Sequence, residues 1–144
     1  MKRVKTIKTI KTIKTSVITV LVFALMITSI PFASFAGSMT LEKYLKKDPK
    51  AMSQLKKEAK ASGVKIKVKG NTVTYSYDLK GKLSKKKAFS AKTKKALIKE
   101  LKKNKKLFKG ICKDIRKQTG IRKTKVVVKY TYKGKKVVSM TFKE

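Results

Sequence analysis

Apolar and polar positions alternate with two different periods along this chain, and the periods change at glycines. Met52, Leu55 and Ala59 recur at spacings of three and four, the signature of one helix face. Asp48-Pro49 precedes them: aspartate accepts free N–H groups at a helix start, and proline suits the first helical position. Thr40 is a further cap ahead of Leu41, and Gly63 is a left-handed stop. The first helical region is therefore predicted over Leu41–Ser62, bent at Asp48-Pro49. From Val64 the period falls to two. Val64, Ile66 and Val68 alternate with Lys65, Lys67 and Lys69; after Gly70-Asn71, Val73, Tyr75, Tyr77 and Leu79 alternate with Thr72, Thr74, Ser76 and Asp78. A two-residue primed turn at Gly70-Asn71 pairs Val68 with Val73, Ile66 with Tyr75 and Val64 with Tyr77, apolar against apolar throughout.

The second half repeats the scheme. Gly81–Phe89 is a basic loop or an early turn of helix capped by Ser84. A long helix then starts near Ser84 or Ser90 and runs to Gly120. Its core stripe is Leu97, Leu101, Asn104, Phe108, Ile111 and Ile115, widened by Ile98, Leu107 and Cys112. Val126, Val128, Tyr130 and Tyr132 alternate next, then Val138, Met140 and Phe142. A three-residue loop at Gly134–Lys136 is predicted, because it pairs Tyr132 with Val138, Tyr130 with Met140 and Val128 with Phe142, whereas a two-residue loop at Gly134-Lys135 would set Tyr130 against Ser139. Two strands alone are marginal in water. The expected fold is thus α+β and two-layered: helix–hairpin–helix–hairpin, with a four-stranded antiparallel sheet carrying both helices on one face. The strand order stays open.

Residues 1–36 have a different character. Lys2, Arg3, Lys5, Lys8, Lys11 and Lys14 form a positive start, with Lys-Thr-Ile three times over. A largely apolar stretch from Val17 to Phe32 follows, then the small residues of Ser34-Phe35-Ala36. This three-part pattern is that of a secretory signal cleaved after Ala36, leaving one exported domain over residues 37–144. The alternative is an uncleaved membrane anchor, since Ser16 to Ala36 is 21 residues and ~20 apolar residues span a bilayer. Either way the expected location is secreted or cell-surface associated.

Charge then narrows the chemistry. The chain of 144 residues has 41 Lys or Arg against 7 Asp or Glu, a formal net charge of +34, with no His, no Trp and one Cys. Six of the basic residues precede residue 37, so the exported part keeps +28. Without His there is no imidazole base and no His-ligated zinc site; with one Cys there is no internal disulfide. Glu42, Asp48, Glu58, Asp78, Glu100, Asp114 and Glu144 are not spaced as a catalytic carboxylate pair or a calcium cage. No enzyme activity and no cofactor is expected. Cys112, beside Ile111 on the core stripe, is a small core residue, although Lys109 and Lys113 would favour a thiolate. Tyr75, Tyr77, Tyr130 and Tyr132 could stack bases or sugars, but they share the face the helices should cover; core packing with hydroxyls at the edge is expected.

One feature stands above this background. Lys95, Lys99, Lys102, Lys106, Lys109 and Lys113 step by four and three along the long helix, extended by Lys117. The line sits about 140° from the apolar stripe and runs roughly 27 Å. Like charges so spaced each oppose the helix by about 0.2–0.5 kcal/mol, which an anionic partner would relieve. Lys65, Lys67 and Lys69 add a second row on the exposed sheet face, and Lys85-Lys86-Lys87 a third cluster. Solvated surface is the plain alternative for such runs, but this charge attracts polyanions in any case.

Several strings also resemble a known family: Leu41-Glu42-Lys43-Tyr44-Leu45, Asp48-Pro49, Gly70-Asn71-Thr72-Val73-Thr74-Tyr75-Ser76-Tyr77, Thr119-Gly120 and Val126-Val127-Val128-Lys129-Tyr130. It is a Gram-positive family of small exported proteins and lipoproteins, classed as a domain of unknown function. The resemblance implies export and transfers no active site. Many members carry a lipidated Cys after the signal, where this chain has Gly37-Ser38.

The expected function is therefore that of an exported, non-enzymatic cationic domain associating with an anionic envelope polymer, such as a teichoic acid, or with phospholipid headgroups. The alternatives are a protein-interaction or inhibitor module, sequence-blind binding of extracellular nucleic acid, and a membrane-active basic helix. Scarce Arg argues against base readout, which favours bidentate guanidinium contacts.

Overall fold

The computed structural model describes residues 39–144. The signal expected over residues 1–36 lies outside them. Helix α1 spans Leu41–Lys47, and Thr40 Oγ1 accepts a hydrogen bond from Lys43 N at its start. Asp48 then turns the chain. Its carboxylate accepts from Lys50 N and Ala51 N at 3.0 and 3.1 Å, opening α2 (Pro49–Ser62) with proline in the first turn. Gly63, left-handed at φ 66°, ends α2, as predicted.

Strands β1 (Val64–Lys69) and β2 (Thr72–Asp78) form the predicted hairpin in the predicted register, with Val68 opposite Val73, Ile66 opposite Tyr75 and Val64 opposite Tyr77. Gly70 takes the left-handed position of the turn, φ 56°. The turn is tied down from outside. Asn71 Oδ1 accepts from Leu41 N at 3.0 Å, its amide donates to Arg122 O at 3.1 Å, and Gly70 N donates to Glu42 Oε2 at 2.8 Å.

The long helix is divided. Ser84 caps a short α3 (Lys85–Ala88), and Ser90 caps α4 (Ala91–Lys103), accepting from Thr93 N at 3.2 Å. Asn104 separates α4 from α5 (Lys105–Thr119). Its side-chain amide donates to Glu100 O at 3.0 Å and Glu100 Oε1 at 3.2 Å, a local backbone bond that competes with the helical ladder. The core stripe survives this break: Leu97, Leu101, Phe108 and Ile111 are buried and Ile115 half-buried.

The second hairpin corrects the predicted one. β3 (Lys125–Tyr132) and β4 (Lys135–Lys143) are joined by two residues, Lys133-Gly134, at φ 48° and 79°. Tyr130 faces Val138, Val128 faces Met140 and Val126 faces Phe142, two residues from the predicted pairing. The register shifts next to Tyr130 and Thr131, so Val137 is an extra residue opposite them. A β-bulge thus achieves what the longer loop was expected to achieve, an all-apolar buried face, while the tight turn keeps the strand twist.

The strands lie in the order β1-β2-β3-β4, and β2 runs parallel to β3. The sheet is therefore mixed and not purely antiparallel. The reason is the connection: α3, α4 and α5 carry the chain back to the end where β2 began, so β3 starts beside Thr72 and runs alongside it. The two-layer arrangement holds. α1 and α2 pack on β1, while α4 and α5 pack on β3 and β4. Tyr75, Tyr130, Phe108, Leu101, Val126 and Val128 fill the core between helices and sheet. Phe108 stacks on Phe142 with centroids 4.4 Å apart.

Candidate functional site

Strand periodicity builds the first part of the site. With Val64, Tyr75, Val128 and Phe142 turned to the helices, the alternate residues form the sheet's open face. Across the sheet they stand in rows set by the register: Lys69–Thr72–Lys125–Lys143, then Lys67–Thr74–Val127–Thr141, then Lys65–Ser76–Lys129–Ser139. Six lysines occupy these rows, interleaved with hydroxyl residues. Asp78 stands at the far end of the face, beyond the third row. Strands ~4.8 Å apart and rows ~6.7 Å apart make an array of roughly 14 by 13 Å. Its backbone is fixed by the ladder, so the amines need order only their own side chains to meet an anion.

The second part lies at the end of the sheet where the first row ends. α5 stops at Gly120, φ 70°, and the connection to β3 brings Arg122, Lys123 and Thr124 beside the start of β3 and the end of β4. Arg116, one turn before the end of α5, points over the same place. Arg116, Arg122, Lys123, Lys125 and Lys143 thus line an open concavity of about 600 Å³, with Thr124 and one acid, Glu144. Arg116 Nη1 meets Glu144 Oε1 at 2.7 Å. Lys125 and Lys143 are direct cross-strand partners, and like charges so placed oppose the pairing. Lys123 adopts a left-handed φ of 59°, a conformation that lysine rarely takes.

The nine lysines singled out in the sequence do not form one site. Lys95, Lys99 and Lys102 fall on α4, and Lys106, Lys109 and Lys113 on α5, so the predicted single line is divided at Asn104. All but the half-buried Lys109 are exposed. Lys65, Lys67 and Lys69 are exposed on β1, on the opposite side of the sheet from those helices. What sequence reasoning missed is the company of Lys65, Lys67 and Lys69: Lys125, Lys129 and Lys143 share their face, and the strand order sets five of the six in two common rows, Lys69 with Lys125 and Lys143 and Lys65 with Lys129. The usable signal was Arg. Arg116 and Arg122 are the two arginines after residue 36, and they flank the helix stop at Gly120.

The remaining chemical candidates resolve into core. Cys112 is fully buried; burial pushes its thiol up, and Sγ lies 3.8 Å from Phe142 O. Tyr75, Tyr77 and Tyr130 are buried, and Tyr77 stacks on Tyr130 at 5.4 Å. The hydroxyls were expected at the edge of the core, but that of Tyr77 is enclosed without a hydrogen-bond partner. Among the described residues, no helix is long and apolar enough to cross a membrane.

The family model for a domain of unknown function (DUF4854) matches residues 41–142. The chain belongs to this family. No curated protein and no solved structure matches it. The DUF4854 span takes in every helix described above and nearly all of the sheet. Two strings that carried the resemblance, Leu41–Leu45 and Gly70–Tyr77, meet through Leu41, Glu42, Gly70 and Asn71, so they build the junction of α1 with the first turn. Arg116, Arg122, Lys123 and Lys125 lie inside the span, and Lys143 and Glu144 just past it.

Proposed function

We propose that this DUF4854 domain is an exported, non-enzymatic module that holds an anionic phosphate polymer of the cell envelope against its open sheet face. The observation that carries the reading is the array of Lys65, Lys67, Lys69, Lys125, Lys129 and Lys143 on one face, with Asp78 set apart at its end. The helix side is also lysine-rich, but its lysines are divided between α4 and α5, whereas those of the sheet face stand on one hydrogen-bonded ladder. The threonines and serines between the lysines add neutral donors suited to phosphate oxygens. Export rests on the segment over residues 1–36. Binding of this kind draws on counter-ion release and carries no sequence or stereochemical code.

The test is retention on isolated, protease-washed envelopes. Release of the protein as salt is raised from low to moderate concentration, and release by added poly(glycerol phosphate) at constant salt, are the expected results. Retention that is indifferent to salt would defeat the reading and point to an apolar protein partner instead. Release by DNA in strong preference to the phosphate polymer would transfer the face to nucleic acid.

A further inference from the structure

The concavity at the sheet end differs from the open face in kind. It combines both described arginines with three lysines, it is concave, and it already contains an anion, the Glu144 carboxylate on Arg116. Guanidinium offers a planar fork of donors that matches oxyanions, which lysine alone does not. Five cations line the basin with the Glu144 carboxylate, so positive charge outnumbers negative there. The Lys125–Lys143 pair is destabilising unless something negative stands between or above it. A singly charged carboxylate answers part of this surplus and engages one of the two arginines; a dianionic tetrahedral group would answer more of it.

From these features we infer that Arg116, Arg122, Lys123, Lys125 and Lys143 form a discrete seat for a phosphate group of the monoester type, and that Glu144 is its internal competitor. The inference rests on the reading above for its setting, since the seat adjoins the first row of the lysine face. It goes further in naming one localised, saturable position. The phosphate enters as Glu144 leaves Arg116, so the carboxylate sets a threshold that weak or singly charged anions do not pass.

Inorganic phosphate, titrated into the full chain at a pH where it is dianionic, is the probe. The readout is the side-chain Nε–H resonance of each arginine, with acetate at matched ionic strength as the control. Saturable shifts of both Arg116 and Arg122 with phosphate, and none that saturate with acetate, are expected. Glu144→Gln should tighten phosphate about two- to fivefold, the equivalent of an exposed ion pair released. Asp78→Asn adds the same charge at the opposite end of the sheet and should change phosphate affinity little. Arg122→Gln should weaken phosphate about tenfold. Equal tightening by E144Q and D78N would overturn the inference, leaving only bulk charge. So would shifts that never saturate. If phosphate fails in this way while poly(glycerol phosphate) still binds with steep salt dependence, the seat falls and the polymer reading stands; loss of polymer binding would strike that reading on its own. The source of the group is decided by competition. Displacement of bound phosphate by poly(glycerol phosphate) that ends in a phosphomonoester, and not by the same polymer without that end group, supports the envelope polymer, and displacement by phosphatidic acid vesicles alone overturns that source in favour of lipid.

Discussion

Individual side chains hold this fold at points that strand and helix periodicity does not reveal. Asn71 is the clearest. Its position between two alternating runs marks a turn, yet its amide also joins the N-terminus of α1 to the loop before β3. Asn71→Ala should lower stability by about 1–2 kcal/mol, since Leu41 N and Arg122 O both lose their partner; the denaturant midpoint reads it. Glu42 completes the junction. Its hydrogen bond from Gly70 N, with Lys46 beside it, holds the carboxyl below its ordinary value of 4.5. A depressed carboxyl pKa means that folding releases the proton more easily. Its contribution is therefore present at neutral pH and is lost as pH falls below about 4.5, through the lowered value. Thermal melts in acid should show this loss in the wild type and less of it in Glu42→Gln. Tyr77 makes the opposite case. Alternation correctly assigned it to the core, but the fate of its hydroxyl depended on Tyr130 from the neighbouring strand. Because that hydroxyl is enclosed without a partner, Tyr77→Phe should be neutral or stabilising by up to about 1 kcal/mol. A clear loss would show that the group is satisfied in solution.

At the scale of elements, the two hairpins show what a sequence discloses and what it withholds. In the first, Gly70-Asn71 sits between two clean alternations, and only one closure pairs apolar with apolar. In the second, Gly134 is compatible with two loops, and Val137-Val138 breaks the alternation. Two adjacent apolar residues were the trace of the bulge, but a trace that a longer loop explained equally well. The tight turn places Lys133 in left-handed space. Asparagine tolerates that space better, so Lys133→Asn should stabilise the chain by about 0.5–1 kcal/mol, measured by chemical denaturation. Asn104 is a similar lesson. A half-buried polar residue on an apolar stripe was legible, but its bond to Glu100 O, which divides the helix, was a matter of side-chain geometry.

For the molecule as a whole, the sequence told the layers, the single core and the existence of an exposed basic sheet face. It did not tell the neighbours. Alternation states which way each strand faces and is silent on which strand lies beside it. The parallel β2–β3 pair, and with it the meeting of Lys65, Lys67 and Lys69 with Lys125, Lys129 and Lys143, came from the course of the helical crossover. The same crossover sends the α4 and α5 lysines to the far side. With a formal charge of +28 over residues 37–144, self-repulsion acts on the fold as well as on partners. Moderate salt should therefore raise the melting temperature while it weakens polymer binding. The most direct test of the central claim is the slope of log K against log salt for poly(glycerol phosphate). Six phosphates neutralised on the open face correspond to a slope of about −4, at ~0.7 per contact. Replacing Lys65, Lys67 and Lys129 by Gln should bring it to about −2, while the same change at Lys99, Lys102 and Lys106 leaves it near −4. Equal losses from the two sets, or a larger loss from the helix set, would contradict the account.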